Sequence, residues 1–214
     1  MKKYMREPVN SLTHLAGALL SLLGLFLLVY KSVRESSDGR ILAGGIIFGI
    51  SLIALYTTSG VYHMVHAGQQ AILNLKKLDH SMIYVLIAGS YTPILLKVVE
   101  GNLRVGLLFT IWLMALAGVV FRVFWINAPR WLYTVTYIFM GWISVFLIGY
   151  VYRYSGAGGL SLLVLGGVSY TIGGVIYGLK KPNFSKSFGF HELFHCFVLG
   201  GSLFHYLFIY FFMI

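Results

Sequence analysis

HELFHCFVLGGSLFHYLFIYFFMI, residues 191–214, opens with two histidines four positions apart and carries no charged residue after Glu192. As a helix, the run is long enough to cross the roughly 30 Å hydrocarbon layer of a bilayer at about 1.5 Å per residue. His191 and His195 then lie one turn apart on one face, the spacing at which two imidazoles can grip one metal ion. Histidines at a membrane boundary are costly unless they meet water or carry out a function.

Six more apolar runs of similar length precede it, at residues 12–30, 41–63, 81–99, 105–126, 131–152 and 158–179. The reading is an all-α integral membrane protein, a single domain over 1–214 with seven transmembrane helices. Composition agrees: 58% of residues are hydrophobic and 10% charged, against about 25% charged in ordinary soluble domains. The runs do not alternate in short pieces, as barrel strands would. MKKYMREP before the first run mimics a signal peptide, but no small-residue cleavage site follows, so the run is taken as the first span.

The net charge of +10 is spread between apolar runs, which marks membrane anchoring and argues against a nucleic-acid partner. Cys196 is the only cysteine, which rules out an internal disulfide and a four-thiolate zinc site. With the amino terminus inside, the inner segments hold Lys2, Lys3, Arg6, Lys76, Lys77, Arg122, Arg130, Lys180, Lys181 and Lys186. The outer ones hold Lys31, Arg34, Arg40, Lys97, Arg104 and Arg153. That bias selects a cytoplasmic amino terminus and an external carboxyl terminus.

An up-and-down path puts the end of the second run and the starts of the third and seventh on one membrane face. His63 ends the second, Asp79 and His80 precede the third, and His191 and His195 open the seventh. Three imidazoles with a fourth position left to water make the ligand set of a catalytic zinc. Asp79 is placed to take a proton from such water, and Ser59, one turn deeper than His63 on the same face, to hold it or steady an oxyanion. The alternatives stay open: paired histidines at a helix end are often interfacial, and a membrane serine often packs or bonds a backbone carbonyl.

His66 and His80 read as solvated loop residues, with His66 the reserve ligand should His63 fail. His14 is a second contact at the same level. His205, fourteen residues after His191, lies about 21 Å along the axis and bonds a neighbouring helix instead. Glu192 imitates the base of a zinc-protease motif, yet no Asp or Glu follows to complete one. It reads better as an acid favoured by the helix dipole. Pro93 should bend the third helix. Gly45 with Gly49 and Gly174 with Gly178 allow close helix contact, and Trp112, Trp125, Trp131 and Trp142 include candidates for the interfacial belt.

Four motifs together resemble one family. They are Glu7-Pro8-Val9-Asn10 through Thr13-His14, Ser59-Gly60-Val61-Tyr62-His63, Leu78-Asp79-His80-Ser81 and His191 through His195. The resemblance is to the hemolysin III group within the progestin and adipoQ receptor (PAQR) family of seven-helix membrane proteins. It implies a zinc ion on His63, His191 and His195, with Ser59 and Asp79 near the metal-bound water. Relatives in the wider superfamily include alkaline ceramidases, and the adiponectin receptors are similar zinc proteins linked to ceramide hydrolysis.

Three functions follow as expectations. The first is a zinc hydrolase of a lipid amide or ester in a bacterial-type cytoplasmic membrane, acting on membrane lipid homeostasis with Asp79 and Ser59 as catalytic residues. The second is a non-enzymatic receptor or sensor with structural zinc. The third is a hemolysin-like pore-former, although no polar stripe runs through the helices to line a channel.

Overall fold

The structure is a computed structural model that describes residues 4–185 and 188–214; Lys2, Lys3 and Lys186, three of the cations used for orientation, lie outside them. Its helices are α1 (Pro8–Glu35), α2 (Gly39–Met64), α3 (Gln69–Val98), α4 (Gly101–Phe124), α5 (Arg130–Trp142), α6 (Ile148–Leu179) and α7 (Phe190–Phe208). A 3-10 turn, Ile143–Leu147, joins α5 to α6, and a turn of π-helix, Ile209–Met213, continues α7. Among the described residues there is no strand. In a bilayer every backbone N–H and C=O must find a partner within the protein, and a helix supplies them locally.

By length and composition, six helices can cross a membrane, because Arg130–Leu179 counts as one helical run of 50 residues. The sequence places two spans there, at 131–152 and 158–179. The run is interrupted at Gly156, whose φ of 65° leaves the helical region; glycine has no β-carbon to oppose that conformation. Its halves lie side by side in opposite directions. Arg130 donates to the Tyr177 carbonyl at 3.4 Å and the Trp142 indole to the Thr171 hydroxyl at 3.1 Å. Thr134 and Ile138 rest against Gly174.

Helices adjacent in sequence pack together, and α1 also packs on α7. Small residues set the closest approaches: a β-carbon on Gly44 would lie 2.8 Å from the Pro93 Cα, and one on Gly49 2.7 Å from a Leu25 methyl. Phe48, Leu52, Leu95, Val151 and Phe208 are enclosed in the core, while Leu19, Phe26, Phe109, Phe124 and Phe146 are exposed. Apolar side chains on both the inside and the outside are what lipid requires. Trp125, Trp131 and Trp142 are among the exposed aromatics. Serine and threonine hydroxyls turn back onto carbonyls one turn earlier, as Ser21, Ser51 and Thr92 do, so that they need no partner from lipid.

One boundary needs correction. α3 starts at Gln69, not at residue 81, so Asp79 and His80 lie about three turns inside a helix and not in a loop before it. The polar stretch Gln69–Lys77 hid this start, because hydropathy marks the apolar part of a helix and says nothing of its extension beyond the lipid.

Candidate metal centre

Two local devices bring the amino-terminal segment, α2 and α7 together. The backbone N–H groups of Arg6 and Glu7 donate to the carbonyls of Met64 and His63 at 3.1 and 2.9 Å. Arg6 also donates from its guanidinium to the Tyr62 carbonyl at 2.6 Å. The segment before α1 is thereby fixed onto the end of α2, where carbonyls lack helical partners. At α7, Glu192 accepts the Gly189 N–H at 2.8 Å. Its other oxygen accepts the Asn10 amide at 2.9 Å, and the same amide reaches Glu7 at 3.1 Å. Both oxygens of Glu192 are thus occupied in capping and bridging, which agrees with the dipole-favoured acid and not with a catalytic base.

Within this frame His63, His191 and His195 converge. One nitrogen from each ring lies within 4.8 Å of the other two, and the ring centroids are 5.0, 4.9 and 4.9 Å apart. His63 and His195 are buried, at 0% and 2% exposure. Zn–N bonds of about 2.0–2.1 Å in a tetrahedron separate ligand nitrogens by roughly 3.3 Å, so small ring movements bring this triangle to that size.

Orphaned atoms test the fit. Nε2 of His63 and Nδ1 of His195 are buried and bonded to nothing among the described residues, a costly arrangement unless a ligand meets them. The tautomer of His63 is also suited to a metal. Its Nδ1 lies 2.8 Å from Oε2 of Glu7; a carboxylate can only accept, so Nδ1 carries the hydrogen and Nε2 presents its lone pair inward. Burial works against the charge of Glu7, but the hydrogen bonds from His63 and Asn10 and the nearby imidazoles of His63 and His191 outweigh it and hold its carboxyl at about 2. The residues present therefore fit a divalent ion that prefers imidazole.

The remaining site residues surround that triangle. Asp79 and Ser59 line one cavity with His191 and His195. His14 stacks on His195 at 3.7 Å, and neither of its ring nitrogens has a hydrogen-bond partner among the described residues; it is the second contact expected at that level. His66 is exposed beyond the end of α2, as a solvated loop residue should be. His205 faces the Leu163 carbonyl from Nε2 at 3.2 Å, the neighbouring-helix bond anticipated for it.

Two expectations fail and one partner was missed. His80 is not a solvated loop residue: it is 8% exposed and bonded to Arg122. Arg122 is not a loop-facing cation but is fully enclosed. Glu7 was quoted only as part of a motif, since a residue ahead of the first helix has no periodicity to place it; its spacing from Asn10 was the available signal.

The cavity holds about 190 Å³ and extends from the histidines to His205, about 21 Å along α7. Between these ends its wall is largely apolar, with Leu55, Leu86, Ile94, Val145, Leu163 and Val198.

The fold and site define a multi-pass membrane protein with a cluster of three histidines, two of them buried, beside a largely apolar cavity. Its residues 2–206 match the family model for haemolysin-III-related proteins, and the chain belongs to that family. It is 39% identical to the hemolysin-3 homolog of Bacillus subtilis (strain 168), across 92% of this chain and 89% of that one. Identity to hemolysin-3 of Bacillus cereus is 35%, across 94% and 90%. The human monocyte to macrophage differentiation factor, a distant PAQR-family relative, is 27% identical across 75% of this chain and 66% of its own.

Proposed function

We propose that the protein is a zinc-dependent hydrolase of a lipid amide or ester, crossing the cytoplasmic membrane seven times with its amino terminus inside. The observation that carries this reading is the triangle of His63, His191 and His195, two of whose members, His191 and His195, line a cavity together with Asp79 and Ser59. A closed structural site would have four protein ligands, whereas three leave a position for water or substrate. Zinc held there would polarise a carbonyl and acidify water.

The chain's own residues then have distinct tasks. Glu7 orients His63 through Nδ1. Asp79 accepts a proton from the attacking water and returns it to the leaving amine or alcohol, with Ser59 beside it on the cavity lining. The apolar length of the cavity takes an acyl chain and excludes bulk water.

The topology has its own support. Fifty helical residues would extend about 75 Å if straight, more than twice the hydrocarbon thickness, and the run turns back on itself at Gly156. Counting it as two crossings gives seven, and the lysine and arginine bias then sets the orientation.

The test is turnover of ceramide-like and phospholipid substrates by purified protein with metal present. Turnover abolished by Asp79→Ala supports the hydrolase; none with any lipid, or turnover untouched by that change, counts against it. The names of the Bacillus relatives suggest a second reading, lysis of membranes. Dye release from liposomes by the wild type, retained when the three histidines are replaced, would favour it. Loss of thermal stability on metal removal, without turnover in any preparation, would favour a structural clamp in a sensor.

A further inference from the structure

His80 and Arg122 form a pair that the metal centre does not use. Arg122 is fully enclosed. Its Nη2 donates to Nδ1 of His80, its guanidinium sits 4.0 Å over the Tyr133 ring, and its Nε and Nη1 find no partner among the described residues. Among the described residues it has no carboxylate partner; the ion pairs lie at Arg6, Lys31 and Arg40 and between Glu7 and the histidines. A buried guanidinium without an acid is costly in a membrane protein, and such a residue ordinarily has a function.

The bond fixes the chemistry of His80. A guanidinium only donates, so Nδ1 is the lone-pair atom and the hydrogen sits on Nε2. The Tyr137 hydroxyl holds the His80 backbone by donating to its carbonyl at 3.0 Å. His80 lines the cavity and Arg122 does not. The cation therefore acts on the cavity through a polarised imidazole whose Nδ1 edge is turned away, leaving the Nε2–H edge for a ligand.

A second cation backs the same wall. The Arg130 guanidinium lies 4.5 Å over Tyr177, another residue of the cavity lining. Lys76, one turn before His80, is within electrostatic range of both arginines. The acids nearby are Glu7, bonded to His63, and Asp79, which lines the cavity beside His80. The cations thus stand behind the lining at His80 and Tyr177, and Glu7 stands behind His63.

We propose that His80, held as an Nε2–H donor by Arg122 and backed by Arg130, is the subsite for a phosphate-type oxyanion on the headgroup of the lipid whose chain fills the cavity. Three cations and a polarised N–H suit a group with several charged acceptor oxygens. The inference rests on reading the cavity as a lipid site and does not need hydrolysis to occur.

The experiment uses the full chain in detergent with 15N-labelled histidine, the His80 signals being assigned by their loss in H80Q. The expected spectrum has Nε2 protonated and Nδ1 as acceptor. Oleoyl glycerol phosphate should move these signals and bind about tenfold more tightly than monoolein, which has the same chain and no phosphate. In R122Q that preference should fall to near parity while monoolein binding stays unchanged, which also reports that the variant is folded. If R122Q does not fold, the two lipids compared on wild type still decide. Equal binding of the two lipids by wild type, or a His80 proton on Nδ1, overturns the proposal. Inorganic phosphate that moves the same signals to the same extent would give the subsite to free phosphate and overturn the lipid assignment; absence of that effect supports it. Binding is read without turnover, and in Asp79→Ala as well, so a protein that hydrolyses nothing can pass and a working hydrolase can fail.

Discussion

Nδ1 of His63 lies 2.8 Å from Oε2 of Glu7, and this contact turns the ring's other nitrogen, buried and unbonded, toward the remaining two histidines. A carboxylate outside the ligand set fixes the ring and raises its basicity. Replacing Glu7 with alanine should weaken metal binding about 10- to 100-fold, measured by competition with a chelator. Glutamine, which still offers an acceptor oxygen, should lose less. Equal affinity in wild type and E7A would remove Glu7 from the site.

Asp79 and Ser59 should separate chemistry from metal binding. Asp79→Ala is expected to lower turnover by about 10²- to 10⁴-fold, the range for loss of a general base, with the metal content unchanged. Ser59→Ala should have a smaller effect in the same direction. Loss of metal together with activity in D79A would make Asp79 a ligand and not a base.

Gly44 and Gly106 should respond oppositely to alanine. A β-carbon on Gly44 would lie 2.8 Å from the Pro93 backbone, whereas one on Gly106 meets nothing within 4 Å. G44A should destabilise by about 1–3 kcal/mol through forced separation of α2 and α3. G106A should stay within about 0.5 kcal/mol of wild type or gain slightly from helix propensity. Thermal unfolding in detergent compares the two.

Helices could be located from the sequence because lipid imposes length and apolarity on every crossing. The meeting of His63 with His191 and His195 was legible for the same reason, since an up-and-down path fixes depth even when the neighbours of each helix are unknown. Depth alone does not say which way a side chain turns around its helix axis. His80 was therefore assigned to solvent although it faces Arg122, and Arg122 was counted with the loop cations although it is enclosed. Glu7 eluded the reading because its position depends on hydrogen bonds to the end of α2, which no periodicity announces.

His205 provides the negative control within the same helix. Its contact with the Leu163 carbonyl is worth about 0.5–1.5 kcal/mol, so H205A should be modestly less stable and keep its full metal content. A loss of metal in H205A would mean that the centre is not confined to the end of the cavity at His191.

The most direct measurement of the central claim is the metal content of purified protein by elemental analysis, for the wild type and for H63A, H191A and H195A singly. The account predicts one equivalent of zinc in the wild type and its loss in each of the three variants. A wild type that binds none, or a full equivalent retained after removal of any one of these histidines, would contradict it.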